Sequence, residues 1–306
     1  MTDHTRKYWI SNHEGILKQT RLILNEYLLS LKLANKAEST ILRYRTFLER
    51  FFNEYLVELD RLTSEDVLEW VNKYSVGKKE STVIIALSIL TSFFNFCLAE
   101  DYLDKMLMKK RWGPKASQPL PKFLTDQEYA RVKLAAEQLS LRDRAIVLFL
   151  FTSGCRRSEV ANLLIQDVDV KQRTAEVRGK GNKIRKVHFS VECALVLKEY
   201  LCTRSSEETE PLFLNKHGEK LQQSGIYKIT TKLGRLADLD HSLHPHCCRH
   251  TFATNMLAKG AELEFIADEM GHTNLNTTRV YARILIQHIV RDTAAYTAGT
   301  GAVTRC

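Results

Sequence analysis

Three short stretches of this chain carry residue types suited to chemistry on an anionic ester. The first is Gly154-Cys155-Arg156-Arg157-Ser158-Glu159 and the second is Gly179-Lys180-Gly181-Asn182-Lys183. The third runs from His246-Cys247-Cys248-Arg249-His250-Thr251-Phe252-Ala253-Thr254 through Gly271-His272 to Tyr281. Arginine brings a permanent charge and a planar fork of donors. Lysine and histidine can move protons, and a phenol can act as a nucleophile. Taken singly, each residue has an ordinary explanation: a solvated surface charge, a satisfied core histidine, a packing tyrosine.

Those stretches need elements to position them. Thr125 to Glu128 reads as a capping box opening a helix. A second helix runs from about Leu141 to Phe151 and ends at Ser153-Gly154. Thr174 to Val177 and Arg185 to Phe189 read as two strands joined by the turn Gly179-Lys180-Gly181-Asn182. From Glu192 onward the pattern is mostly helical. Upstream, Ile41, Tyr44, Leu48, Phe51, Phe52 and Tyr55 recur at helical spacing, with Arg43, Arg45 and Arg50 between them. Thr63-Ser64-Glu65-Asp66 reads as a helix start. A helix from Ser81 carries Leu87, Leu90, Phe94, Cys97 and Leu98 on one face. With the segment from Gln19 to Leu33, about four helices are expected. Between the two parts lie Lys105, Lys109, Lys110, Arg111, Lys115 and Lys122, with no acid between Asp104 and Asp126. Pro114, Pro119 and Pro121 stiffen this connector. It reads equally as a solvated linker or as a strap along a phosphate backbone.

The 306 residues suit two domains, and the apolar share allows each a core. Lys and Arg outnumber Asp and Glu by 45 to 36, a net charge of +9 that favours a polyanionic partner. The polar N-terminus leads into no long apolar run, so no signal peptide is expected. The longest uninterrupted apolar runs, such as Ala145 to Phe151, are too short for a membrane span. Seven scattered cysteines point to no disulfide framework and to a reducing compartment.

Together, Arg156 with Glu159, Lys180 in its Gly-Lys-Gly turn, His246-x-x-Arg249, Gly271-His272, and Tyr281 nine residues beyond His272 resemble the signature of the tyrosine recombinases, the phage integrase family. The spacings are most similar to Xer-type and transposon or integron members. Cys248 and Met270 stand where the family usually has leucine. The resemblance covers residues 122–285, and the upstream helices match only in length and character.

The resemblance implies a mainly α fold with a small β-sheet. A helical, SAM-like core-binding domain (18–107) would follow an extension (1–17). A basic linker (108–121) would lead to a mixed α/β catalytic domain (122–306), with a helix at about 284–296 exchanged between subunits. It implies a site-specific DNA recombinase that works without metal, ATP or other cofactor. Tyr281 would attack a phosphodiester to give a 3′-phosphotyrosine and a free 5′-hydroxyl. Arg156 and Arg249 would grip the non-bridging oxygens, and His272 would donate to the phosphate. His246 would help accept the tyrosine proton or hold the phosphate. Lys180 would protonate the departing 5′-oxygen, and Glu159 would orient Arg156 or a nearby histidine. Arg43, Arg45, Lys109, Lys110, Arg111 and Lys115 are the candidate DNA contacts. The partners implied are duplex DNA with inverted-repeat core sites and other copies of the chain, four in a synaptic complex, in the bacterial cytoplasm. Integration, excision and resolution are left open.

Three rivals compete from the same residues. His244, His246, Cys247, Cys248 and His250 form a cluster rich in zinc-ligand types, but adjacent cysteines lack the Cys-x₂₋₄-Cys spacing. A type IB topoisomerase shares the chemistry but would need no second site. A DNA-binding relative that no longer cleaves is opposed by the complete set from Arg156 to Tyr281.

Overall fold

The computed structural model describes residues 7–113, 121–179, 183–204, 207, 210–272 and 274–282, except for the side chain of Lys110. The chain divides into two compact units, Met1–Gln118 and Pro119–Cys306. The division falls inside the expected basic connector.

Among the described residues the first unit contains four α-helices: α1 (Lys18–Leu33), α2 (Glu38–Glu54), α3 (Ser64–Ser75) and α4 (Glu80–Ala99). Each buries one apolar face. In α2 the buried residues are Ile41, Leu48, Phe51 and Phe52, the helical spacing seen in the sequence. Helix α3 starts where expected: Thr63 Oγ1 accepts from Asp66 N, and Asp66 Oδ2 accepts from Thr63 N at 2.9 Å. The core is aromatic, built around Tyr27, Phe51, Phe52, Trp70, Phe93 and Phe94. Its polar edges are paired: the Trp70 indole donates to Glu54 Oε2 (2.8 Å), and the Tyr27 hydroxyl donates to Ser92 Oγ (2.7 Å).

Two features depart from the sequence reading. Helix α4 is long and apolar enough, by length and composition, to cross a membrane. Runs of consecutive apolar residues miss it, because Ser88, Thr91, Ser92 and Asn95 interrupt the pattern. Here it is the central helix of the unit, with Leu90, Phe93, Phe94 and Cys97 fully buried. The expected extension is also not separate. Ser11 N donates to Asn25 Oδ1 (2.6 Å), and Ile16 is part of the core.

The second unit contains α5 (Asp126–Ala136), α6 (Leu141–Ser153), α7 (Arg157–Asn162), α8 (Val191–Cys202), α9 (Gln223–Leu236), α10 (Pro245–Ala258) and α11 (Leu263–Met270). An antiparallel sheet lies between α7 and α8 in the chain. Its strands β1 (Val168–Asp169), β2 (Thr174–Arg178) and β3 (Ile184–His188) lie in the order β1-β2-β3. The β2–β3 register pairs Thr174 with His188 and Arg178 with Ile184. The expected strands are therefore present, the first longer by one residue at its end and the second beginning and ending one residue earlier. The capping box at Thr125 and Glu128 opens α5. Helix α6 is buried on every side from Ala145 to Phe151, so it is the axis around which the unit packs. The mainly α fold with a small sheet is the one expected.

Candidate active site

Two helix C-termini and one helix start build the site. Helix α6 ends at Gly154 and α11 at Gly271, both left-handed, with φ of 61° and 63°. Glycine adopts this conformation without strain and turns the chain sharply at a helix end. The freed carbonyls carry the partial negative charge of a helix C-terminus. Arginines answer them. Arg249, in α10 and 4 % exposed, donates from Nη1 to Gly154 O and from Nη2 to Met270 O, both at 2.6 Å. Arg156, the residue before α7, donates to Met270 O (3.4 Å) and Gly271 O (3.2 Å). The Met270 carbonyl thus holds both guanidinium groups. Two like charges are gathered at one helix C-terminus.

Glu159 lies one turn beyond Arg156 and is 2 % exposed. Its carboxylate accepts from Arg156 Nη1 (2.9 Å) and from the Arg156 backbone N–H (2.7 Å). It also accepts two parallel bonds from Arg185, each 2.8 Å. Burial pushes its pKa up, but the bonds from Arg185 and Arg156 outweigh this and hold it below the ordinary value. Arg185, on β3, also donates from Nε to Glu269 O (2.9 Å). Sequence reading missed Arg185. A signal was present: it shares a strand face with buried Val187, and a charge on an inward face implies a buried partner.

His272 follows the α11 cap. Its Nε2 accepts from Arg249 Nη2 (2.9 Å), since arginine cannot accept. The ring's proton is therefore on Nδ1, which donates to Thr278 Oγ1 (2.8 Å). Burial, then the charges of Arg249 and Arg156, lower its pKa to about 4, so it is neutral at physiological pH. Both ring nitrogens are committed. The donor expected for a phosphate is given instead to Thr278, which is fully buried.

Tyr281, in a helical stretch at 276–282, is 2 % exposed. Burial raises its pKa to about 12, against the pull of Arg249 and Arg156. Its hydroxyl meets His250 Nδ1 at 2.8 Å. The sequence reading had His246 help accept the tyrosine proton or hold the phosphate; the histidine beside the phenol is His250. His246 lies in the first turn of α10 with part of its surface open to solvent; desolvation of the remainder, then His244 and Arg249, lower its pKa. The two are four residues apart on α10, and spacing alone does not decide between them.

Lys180 lies outside the described residues. Its neighbour Gly179 closes the hairpin base by donating to Lys183 O (2.8 Å), and a Cβ on Gly179 would lie 3.3 Å from Glu159 Oε1. A cleft of ≈ 830 Å³ here is lined by Arg156, Gly179, Lys183, Arg185, Gly271 and His272. Among the described residues no group of three His, Cys, Asp or Glu side chains is placed to hold a metal. Cys247 and Cys248 are buried in the core.

The proposed DNA contacts differ in their freedom. Arg43, Lys109 and Arg111 are exposed. Arg45 is not free: it donates to Tyr8 O (3.2 Å) and Ile10 O (3.1 Å) and lies 3.6 Å from Glu49. It ties the N-terminal segment to α2, a role that local charge pattern does not reveal. The Lys110 side chain and Lys115 lie outside the described residues.

The profile of the phage integrase family matches residues 122–288, and that of the phage integrase N-terminal SAM-like domain matches residues 24–101. The tyrosine recombinase XerC of Thermodesulfovibrio yellowstonii is 32% identical over 288 residues, 90% of this chain and 95% of the relative. The tyrosine recombinase XerA of Pyrococcus horikoshii is 32% identical over 272 residues, 87% of this chain and 90% of the relative. The fold is similar to that of XerH site-specific recombinase bound to palindromic difH substrate, with a TM-score of 0.70 at 20% identity, over 94% of this chain and 92% of that one. It is similar also to a lambda integrase dimer bound to a COC′ core site, with a TM-score of 0.70 at 17% identity, over 85% and 94%. With both units matched and relatives aligned over nearly their full length, the chain belongs to the phage integrase family and is a tyrosine recombinase.

Proposed function

We propose that this protein exchanges strands between two specific DNA sites through Tyr281. The observation that carries this reading is the convergence of Arg156 and Arg249 on one backbone carbonyl, with His272 bonded to Arg249 and the Tyr281 phenol within reach of both charges. A phosphodiester entering there would meet forked, preorganised donors. They would stabilise the charge that develops on its oxygens in the transition state.

In this reading Tyr281 Oη bonds to phosphorus as the bond to the 5′-oxygen breaks; the phenol proton leaves with the help of His246, and Lys180 gives the 5′-oxygen its proton. A 5′-hydroxyl from another strand reverses the step, which makes the reaction exchange rather than hydrolysis. Glu159 and Arg185 hold Arg156 in place. His272 would have to release Thr278 or Arg249 to bond the phosphate directly.

The partners proposed are duplex DNA carrying inverted repeats and further copies of the chain, in the cytoplasm. An apolar hollow of ≈ 320 Å³ in the second unit, lined by Phe151, Phe189, Phe252 and Phe265 among others, is the proposed seat for an apolar helix from a neighbour. Ile284, Leu285, Ile286, Ile289 and Val290, the stretch proposed for exchange, lie outside the described residues.

The test is trapping on a nicked suicide substrate. Wild-type protein should form a covalent adduct, and Tyr281→Phe should bind the same DNA without forming one. An adduct from the phenylalanine variant would remove Tyr281 as nucleophile.

A further inference from the structure

We infer that His250 is a positioning residue for the nucleophile: through Nδ1 it holds the Tyr281 hydroxyl where the phenol can be presented to a phosphate on Arg156 and Arg249. The inference rests on Tyr281 being the nucleophile, as proposed above, and adds a residue that none of the recombination roles assigned above includes.

The geometry is specific. The hydroxyl and Nδ1 are 2.8 Å apart, with ring centroids 5.7 Å apart and planes at 50°. The phenol is 2 % exposed, and this is the one hydrogen bond of its hydroxyl among the described residues. With no other acceptor, the phenol O–H donates and Nδ1 accepts, which puts the imidazole proton on Nε2. His250 directly follows Arg249 on α10. The helix that buries the cation therefore also anchors the nucleophile, and the two cannot move independently by much.

The electrostatics point to holding rather than to proton removal. Burial, followed by His246, Arg249 and His244, lowers the His250 pKa to about 4, while that of Tyr281 is pushed up to about 12. Passing the phenol proton to this imidazole would be uphill by about eight powers of ten. A neutral imidazole can orient the hydroxyl without taking its proton. For a nucleophile that must approach in line, small misplacements carry large rate penalties.

The full-length protein with His250→Ala, His250→Asn or His250→Gln tests this, with Tyr281→Phe as control. Asparagine places an acceptor near the position of Nδ1, whereas glutamine places it near Nε2. Adduct formation on the suicide substrate and DNA affinity by gel shift are read separately. The expected result is adduct formation about tenfold slower or more for alanine and glutamine, within about threefold of wild type for asparagine, and unchanged affinity throughout. Alanine cleaving at the wild-type rate or faster would overturn the inference, as would asparagine losing as much as alanine. If the variants do not fold, the wild-type protein decides by ¹⁵N NMR of labelled histidine. The His250 Nδ1 resonance should report an unprotonated, hydrogen-bonded nitrogen and shift in Tyr281→Phe. No shift would overturn the inference. An adduct from Tyr281→Phe, or none from wild type, would instead sink the assignment of Tyr281.

Discussion

At the residue scale, the site is a set of charges held by groups that are not themselves reactive. Arg185 illustrates this. Its side chain is 14% exposed and gives Glu159 two of the bonds that keep a buried carboxylate ionised. Arg185→Met would leave that carboxylate without its main partner, a change that typically costs about 3–5 kcal/mol. It should lower stability in urea unfolding and slow adduct formation, because Glu159 would no longer hold Arg156 firmly. Adding Glu159→Gln should recover much of the stability and little of the cleavage. The titrating groups give a second expectation. His250 and His272 have folded pKa values of about 4 against an ordinary 6.5. Between those pH values the unfolded chain binds protons that the folded chain refuses, so stability falls as pH drops from 6.5 towards 4. Each histidine contributes up to about 3 kcal/mol to this loss. Glu159, held below its ordinary 4.5, adds a further loss under that pH. Urea midpoints measured across pH 4 to 7 should show the decline, and it should be shallower in His250→Asn/His272→Gln.

At the scale of elements, the important points are where helices stop. Helices α6 and α11 both end in left-handed glycines, and their last carbonyls seat Arg249 and Arg156. An alanine at either position is strained by its backbone angle alone, by about 1 kcal/mol or more. The surroundings differ. A Cβ on Gly154 would lie 2.4 Å from the Phe252 ring, while one on Gly271 would lie 2.9 Å from the end of the Arg185 side chain. The ring is buried in a core and cannot withdraw, whereas a guanidinium can shift. Gly154→Ala should therefore lower the melting temperature more than Gly271→Ala. Gly271→Ala should show the greater loss of cleavage relative to its loss of stability, because the shift disturbs Arg185, Glu159 and Arg156 in turn.

At the scale of the whole molecule, the chain is two folded units, each with its own core, joined through a basic, proline-bearing segment. Its family architecture is that of proteins with a helical unit before a catalytic one. The proposed assembly depends on residues beyond 282. Removing residues 284–306 should impair cooperative assembly on paired sites more than binding to one site. Gel shifts on one-site and two-site DNA measure both, and equal loss in the two assays would argue that the segment packs on its own subunit.

Much of this was legible in the chain before it was folded. Alternating and helical periodicities located the strands and most helices. The capping residues Thr63 and Thr125 marked helix starts, and the ordered motif from Arg156 to Tyr281 carried the family. These signals are local, written in neighbours a few residues apart. Partner choice is not local. That Arg185 would brace Glu159, that Arg45 would tether the N-terminal segment, and that His250 rather than His246 would meet Tyr281 are outcomes of tertiary packing. Each joins residues far apart in sequence, or chooses between adjacent turns of one helix. Only burial decides which donor faces which acceptor, because an unpaired polar group is costly there and inexpensive in water.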